Sequence, residues 1–319
     1  MSALVHRGVR YADEEHLARR LVPELRAALD RGDVVAAALD GPSRAAVADG
    51  LGDAADDVDF VDTSRPARID AFQLVARRAA LVQRRARAGQ GTTFVGQNQP
   101  QLQLGDDYWL RLESALQVAL ADLPVTLLCP YRSELEAPAL RAVHAEILEP
   151  DGSSHANPDV REPADVALAA AAPPLADLGP PDVTLTATPS TLGNLRRRLT
   201  ELLDEVGAPP DPDLVYAVSE VATNSVEHGE GRGTVAVWAH PAHADRPASV
   251  VCEVTDTGLL HDPFPGVRPP RLDQIRGRGL WLARTLCEAV DVRVDTTGTR
   301  VRLTAAPEPE ADPENDARN

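Results

Sequence analysis

Residues 163–182, PADVALAAAAPPLADLGPPD, interrupt the chain with five prolines set largely among alanines. Proline fixes φ and removes a backbone donor, so a sheet or a long helix cannot run through such a stretch. Its composition predicts a semi-rigid spacer instead. The residues on either side must then build separate cores, and 319 residues are enough for two. The organisation read from this break is a first domain at 1–162, a linker at 163–182 and a second domain at 183–306. The end, PEPEADPENDARN at 307–319, is acidic and without apolar periodicity and reads as a disordered tail.

Ahead of the break, strand-like apolar runs alternate with helical patterns. DVVAAAL (33–39), VDFVDT (58–63), TTFVGQ (92–97) and VTLLCPY (125–131) are the runs. SRAAVADGL, IDAFQLVARRAALVQRRARAG and WLRLESALQVALADL lie between them. Such alternation predicts an α/β domain with a mostly parallel sheet, whose ligands gather at the carboxyl ends of strands. Those ends are Asp40-Gly41-Pro42-Ser43, Asp62-Thr63-Ser64, Gly96-Gln97 and Cys129-Pro130-Tyr131. None is a phosphate loop: DGPSRAA lacks the lysine and the spacing, and Asp40 and Ser43 read as helix caps.

Beyond the break the order changes. TPSTLGNLRRRLTELLDEVG repeats leucines at helical spacing and ends at Gly207. PPDPDLVYAVSEVATNSVEHG follows, capped by Asp211 with Pro212 in its first turn. Then come the strands TVAVWAH and SVVCEVTD, a proline-rich stretch from Gly258 to Arg276, the helix GRGLWLARTLCEAV and a hairpin around Thr297-Gly298. This order predicts an α+β sandwich, a mixed sheet with helices on one face.

Composition removes several function classes. The net charge is -17, which opposes binding to nucleic-acid phosphates. Lysine does not occur, so no mechanism can call on one, and the cores must be built from Ala, Val and Leu because aromatics are only 3%. Cys129, Cys252 and Cys287 are too scattered for a disulfide framework or a CxxC metal site. No signal core and no run long enough to span a membrane is visible, so the expectation is a soluble, cytoplasmic protein.

The second helix of the latter half carries an ordered polar stripe. In SEVATNSVEHG, Glu220, Asn224 and His228 recur at every fourth position and so share one side. Leu214, Val218, Val221, Ala222 and Ser225 make a different, apolar face. Two later segments supply matching chemistry. VTDTGLL puts Asp256 at a strand end with Gly258 just beyond, and GRGLWLA puts Gly277 and Gly279 at a helix start. Glycines let backbone approach a ligand, and amides at a helix N-terminus attract phosphate. A strand-end carboxylate can accept from an exocyclic amine, and Asn with Glu a turn apart can serve a metal and a proton.

These three segments resemble the ATP-binding pattern of the gyrase, histidine-kinase, chaperone and MutL superfamily, the Bergerat or histidine-kinase-like ATPase fold. ExxxNxxxHG is similar to its N box, DxG to its first glycine box and GxGL to its second. Within it, residues 183–305 resemble most the anti-sigma-factor serine kinases. The gyrase- and MutL-type ATPases complete the γ-phosphate site with a lysine, which this chain lacks, and His144 in RAVHAEILEP does not sit in a histidine-kinase phosphoacceptor box. His144 reads as an ordinary surface or packing residue. The first half, with its strand–helix units, LCPY strand end and HANPDV segment, resembles the MEDS sensory domain.

The resemblance implies ATP and Mg²⁺ as ligands, with Asn224 on the metal and Glu220 as the catalytic proton acceptor. Asp256 and Thr299 would read adenine. Gly258, Gly277, Arg278, Gly279 and Leu280 would give backbone to the nucleotide, and His228 would sit at the rim. LLHDPFPGVRPPRLDQIRG would be the lid, carrying Arg271, Arg276 and Arg278. Leu260 stands where the fuller DxGxG box has its second glycine, which restricts backbone reach. The implied partners are a sigma factor or a STAS-type anti-anti-sigma protein phosphorylated on serine or threonine, with a small-molecule signal at the first domain. A homodimer is compatible with such a role. An ATP-gated binding module without transfer, and an unconventional sensor histidine kinase, are the alternatives.

Overall fold

The computed structural model describes residues 4–61, 70–99, 102–135, 137–205, 211–240, 249–271, 274 and 277–305. The chain divides into two compact units, the first of residues up to Pro173 together with Val267–Pro269 and the second of the residues from Pro174 on without those three. Asp62-Thr63-Ser64, the helix stop at Gly207, Arg276 and the tail at 307–319 lie outside the described residues. Among the described residues no helix is long and apolar enough to cross a membrane.

The first unit is an α/β layer. Its elements are β1 (Val5–Tyr11), α1 (Glu14–Asp30), β2 (Val34–Ala38), α2 (Gly41–Leu51), β3 (Val58–Phe60), α3 (Ala71–Arg87), β4 (Thr92–Gly96), α4 (Gly105–Ala119) and β5 (Val125–Arg132). α5 (Pro138–Val143), β6 (Glu146–Leu148), β7 (Ser154–Ala156) and α6 (Pro163–Ala169) complete it. The sheet order is β3-β2-β4-β5-β1-β6-β7, parallel throughout except for the β6–β7 hairpin. The four expected strands are present, but β1, VHRGVRY, was not among them. Its alternating Arg and His hide a strand whose Val9 and Tyr11 are fully buried between β5 and β6. As expected, the Asp40 carboxylate caps α2, accepting from the Ser43 N–H at 2.9 Å.

The stretch expected as a spacer is ordered at both ends. Pro163 opens α6, where its missing N–H costs nothing, and Val166 is buried against Ala142 and Val143. Toward its other end, Asp182 N–H donates to Val237 O, Trp238 Nε1 donates to Gly179 O, and Arg302 donates to Ala176 O. Residues 171–175 have neither helix nor strand.

The second unit consists of β8 (Val183–Ala187), α7 (Leu192–Glu205), α8 (Pro212–His228), β9 (Gly233–His240), β10 (Ser249–Asp256), α9 (Gly279–Leu286), β11 (Ala289–Asp295) and β12 (Gly298–Thr304). The sheet, β11-β12-β10-β9-β8, is antiparallel at every pairing rather than mixed. The reason is local: β9–β10 and β11–β12 are consecutive strands that pair with each other, and β11, which α9 returns in the direction of β10, is kept from pairing with it by β12 between them. Leu214, Val218, Val221, Ala222 and Ser225, the apolar face of α8, are all buried, most of them against Val235, Val237, Val254 and Leu303. The Asp211 carboxylate accepts from the Leu214 N–H at 2.8 Å, and Pro212 takes the first turn.

Candidate functional site

Burying one face of α8 turns its polar stripe toward the loop after β10. A cleft of about 450 Å³ opens there, lined on the helix side by Val221, Asn224, Ser225 and His228. Asp256, Gly258 and Leu260 come from the end of β10, Gly277 and Leu280 from the start of α9, and Thr299 and Val301 from β12. The antiparallel register sets Asp256 directly opposite Thr299. Seven of the ten expected site residues therefore share one cavity.

The loop after β10 is fixed by hydrogen bonds that explain its sequence. Asp256 Oδ1 accepts from the Gly258 N–H at 2.8 Å. Thr299 Oγ1 donates to the Gly258 carbonyl at 2.7 Å and accepts from the Leu260 N–H at 3.2 Å. Leu260 is not among the residues with positive φ, so the side chain in place of glycine is held without backbone strain. A Cβ on Gly258 would meet the His228 carbonyl oxygen at 2.5 Å. One on Gly229 would meet the Asp256 Cβ at the same distance. Glycine at both places lets β10 and the end of α8 close on each other.

Gly279 brings α9 against α8: a Cβ there would lie 2.9 Å from Asn224 Nδ2 and 3.2 Å from Glu220 Cβ. Gly279, Arg278 and Glu220 border the cleft without lining it. Arg278 takes the N-cap position of α9 but caps no amide with its side chain. Glu220 is turned to the other side of the stripe, where Arg196 of α7 donates to its carboxylate at 3.0 Å. Arg196 also donates to Ser219 Oγ and stacks on the Tyr216 ring.

The stretch expected as a lid is irregular wherever it is described, with a turn at Pro265–Val267. Arg271 is exposed, and its carbonyl lies 3.5 Å from Arg278 Nη2. Sequence reasoning missed what anchors this stretch. Arg284 of α9 is 1% exposed, and it donates from Nε to the Pro265 carbonyl and from Nη1 to the Val290 carbonyl, each at 2.9 Å. Nothing in LARTLCEAV distinguishes that arginine from an exposed one at the end of a helix. Gly229 was legible as the last letter of the N box, and only its role in the close approach to Asp256 was not.

Of the two readings of His144, surface or packing, the structure has the packing one. The residue is wholly buried in the first unit, beside His6 and Tyr131.

A sheet carrying helices, with a cleft walled by a polar helix stripe, an Asp-x-Gly loop and a glycine-opened helix, defines a histidine kinase-like ATPase domain. Residues 185–305 match that family, and residues 5–146 match MEDS, the methanogen/methylotroph, DcmR sensory domain. Over 129 residues the chain is 33% identical to the serine-protein kinase RsbW of Bacillus licheniformis, covering 37% of this chain and 79% of that protein. The chain belongs to this serine-protein kinase family, as an anti-sigma kinase-like protein with an N-terminal MEDS domain. A solved structure of the RsbU and RsbW domains of a Mycobacterium tuberculosis protein is 27% identical over 39% of this chain. The match spans 32% of that chain with a TM-score of 0.27.

Proposed function

We propose that the second unit binds Mg-ATP in the α8–α9 cleft and transfers its γ-phosphoryl group to a serine or threonine of a STAS-type anti-anti-sigma protein. Binding a sigma factor would be the other half of the switch. The observation that carries the reading is the convergence of Asn224, Asp256, Gly258, Gly277 and Thr299 on one cavity. The residues fit the ligand. Gly279 leaves free the volume beside Asn224 that a Cβ would fill, and the first turn of α9 has no side-chain cap competing for its amides. Mg²⁺ takes few protein ligands and completes its shell with phosphate oxygens and water, so one amide oxygen from Asn224 suffices. When bound, the ion would neutralise charge on the phosphates.

In this reading Asp256 and Thr299, opposite each other in register, hold the adenine edge. Arg278 and the amides of Gly279 and Leu280 face phosphate, and Val221, Leu260 and Val301 supply apolar walls. Glu220 takes the proton of the attacking hydroxyl. Because Arg196 holds its carboxylate at the edge of the cleft, the incoming partner would have to draw Glu220 away from that ion pair. The same ion pair favours a second reading, an ATP-gated binding module that transfers nothing.

One set of measurements separates the two. Glu220→Gln is expected to keep Mg-ATP affinity and lose about 10²- to 10⁴-fold in transfer. Asn224→Ala is expected to lose metal-dependent binding and transfer together. Radiolabel transfer to a co-purifying STAS protein, beside calorimetric titration, reads both. Undiminished transfer by Glu220→Gln would remove the proton-acceptor role. No transfer by the parent chain, with nucleotide bound, would leave the binding module, and no nucleotide binding at millimolar concentration would end the reading altogether.

A further inference from the structure

Far along the sequence from the cleft residues, the first unit encloses four ligand-type side chains with no part in phosphoryl transfer. His6 lies on β1 and Cys129 on β5, and the parallel register pairs Gly8 with Cys129, two residues along from His6. Side chains alternate along a strand, so His6 and Cys129 share one face of the sheet. α4 packs there with Glu113, and the residue after α5 is His144. His6 is 9% exposed, Cys129 3%, Glu113 2% and His144 not at all. Gly8 makes room for this: a Cβ there would strike Leu140 at 2.3 Å and the His144 ring at 3.3 Å.

The spacing is that of a coordination shell. One ligand atom from each residue lies within 4.8 Å of the other three. His6 Nε2 is 3.0 Å from Glu113 Oε2, and Cys129 Sγ is 3.3 Å from His6 Nε2 and 3.4 Å from Glu113 Oε2. His144 Nε2 is 3.8 Å from the same carboxylate oxygen. Ligands about 2.0–2.3 Å from a tetrahedral ion stand roughly 3.3–3.8 Å from one another.

The hydrogen bonds around the cluster orient lone pairs inward. His144 Nδ1 is 3.2 Å from the Leu140 carbonyl, which can only accept, so the proton is on Nδ1. That leaves His144 Nε2 a bare acceptor, and it is buried without a hydrogen-bond partner. His6 Nδ1 faces the Gln117 amide oxygen at 2.9 Å, and Tyr131 donates to Glu113 Oε1 at 3.1 Å. Metal-bound imidazoles and carboxylates characteristically have such outer partners. Protons alone can satisfy His6, Cys129 and Glu113, but they leave the His144 nitrogen orphaned. A cation at the centre serves all four.

We propose that His6, Glu113, Cys129 and His144 form a closed, buried site for one zinc ion that ties β1, β5, α4 and the end of α5 together. One thiolate, two imidazoles and one carboxylate are a borderline donor set suited to Zn²⁺ rather than to Mg²⁺ or Ca²⁺. Four protein ligands leave no open position, which marks a structural ion rather than a catalytic one. Binding releases the Cys129 thiol proton to solvent as the Zn–S bond forms.

The test uses the untagged full chain. Metal analysis after dialysis against Zn²⁺ and a chelator-free wash is expected to give about one zinc per chain. Cobalt(II) in place of zinc is expected to give a near-ultraviolet thiolate-to-cobalt band and the intense visible bands of tetrahedral geometry. Cys129→Ser should abolish the thiolate band, and the Cys252→Ala/Cys287→Ala chain should retain it, which assigns the sulfur even if the first variant does not fold. Tyr131→Phe, which keeps all four ligands, should weaken zinc about 10- to 100-fold. A folded parent chain that retains no zinc and shows no thiolate–cobalt band would overturn the proposal, as would a band lost only with Cys252 and Cys287.

Discussion

Thr299 shows how much of the cleft rests on single groups. Its hydroxyl is donor to Gly258 and acceptor from Leu260 at once, so the loop after β10 closes on one atom. Valine would keep the branched shape and lose both bonds, leaving a carbonyl and an amide without partners. A deprived group costs about 1–3 kcal/mol when fully buried, and Thr299 is only half-buried, so the lower end applies. Thr299→Val is expected to lower the stability of the second unit by about 1 kcal/mol. A urea midpoint that falls with unchanged slope would show it, together with weaker Mg-ATP binding. An unchanged midpoint would mean that the loop is held by its other contacts.

At the scale of elements, the cleft depends on α9 being held to the loop it follows. Arg284 does this from a fully buried position, with a side chain that spans from the Pro265 carbonyl to the Val290 carbonyl. Leucine at this place would fill part of the volume and satisfy neither oxygen. Arg284→Leu is expected to cost about 1–3 kcal/mol for each carbonyl left without a donor. It should also raise amide hydrogen exchange across residues 258–271 while leaving β8 and β9 protected. Exchange that rises equally over the whole second unit would show a general packing defect and not a tether.

At the scale of the whole molecule, each unit has its own buried core. Leu17, Leu21, Leu25, Val35 and Val95 belong to one in the first unit, and Leu199, Leu214, Val218, Val254 and Leu303 to that of the second. Two cores predict two unfolding steps rather than one. Limited proteolysis should cut first within residues 171–175, where neither helix nor strand protects the backbone. Mg-ATP should raise the midpoint of the second unit alone, because a ligand stabilises only the unit that binds it. Differential scanning calorimetry of the full chain, with and without nucleotide, reads both steps; a single cooperative transition displaced as one by nucleotide would contradict this division.

What the sequence determined by itself was whatever depends on near neighbours in the chain. The 3.6-residue period set the two faces of α8, the caps at Asp40 and Asp211 set helix starts, and the glycines at 258, 277 and 279 marked where backbone must come close. Those patterns were enough to name the ATPase-type half and seven of the residues that share its cleft. β1 was missed because its arginines and histidine break the apolar run, and only pairing with β5 and β6 gives that strand a core position. Glu220 read as one of a row, but its ion pair with Arg196 is set by the packing of α7 on α8. Arg284 carries no local mark of its burial, and His144 could be read as surface or packing, because burial is not a local property. His6, Glu113, Cys129 and His144 are separated by up to 138 positions and carry no spacing motif. Only the parallel register of β1 with β5, and the docking of α4 and α5 on one face, bring their lone pairs to a common centre.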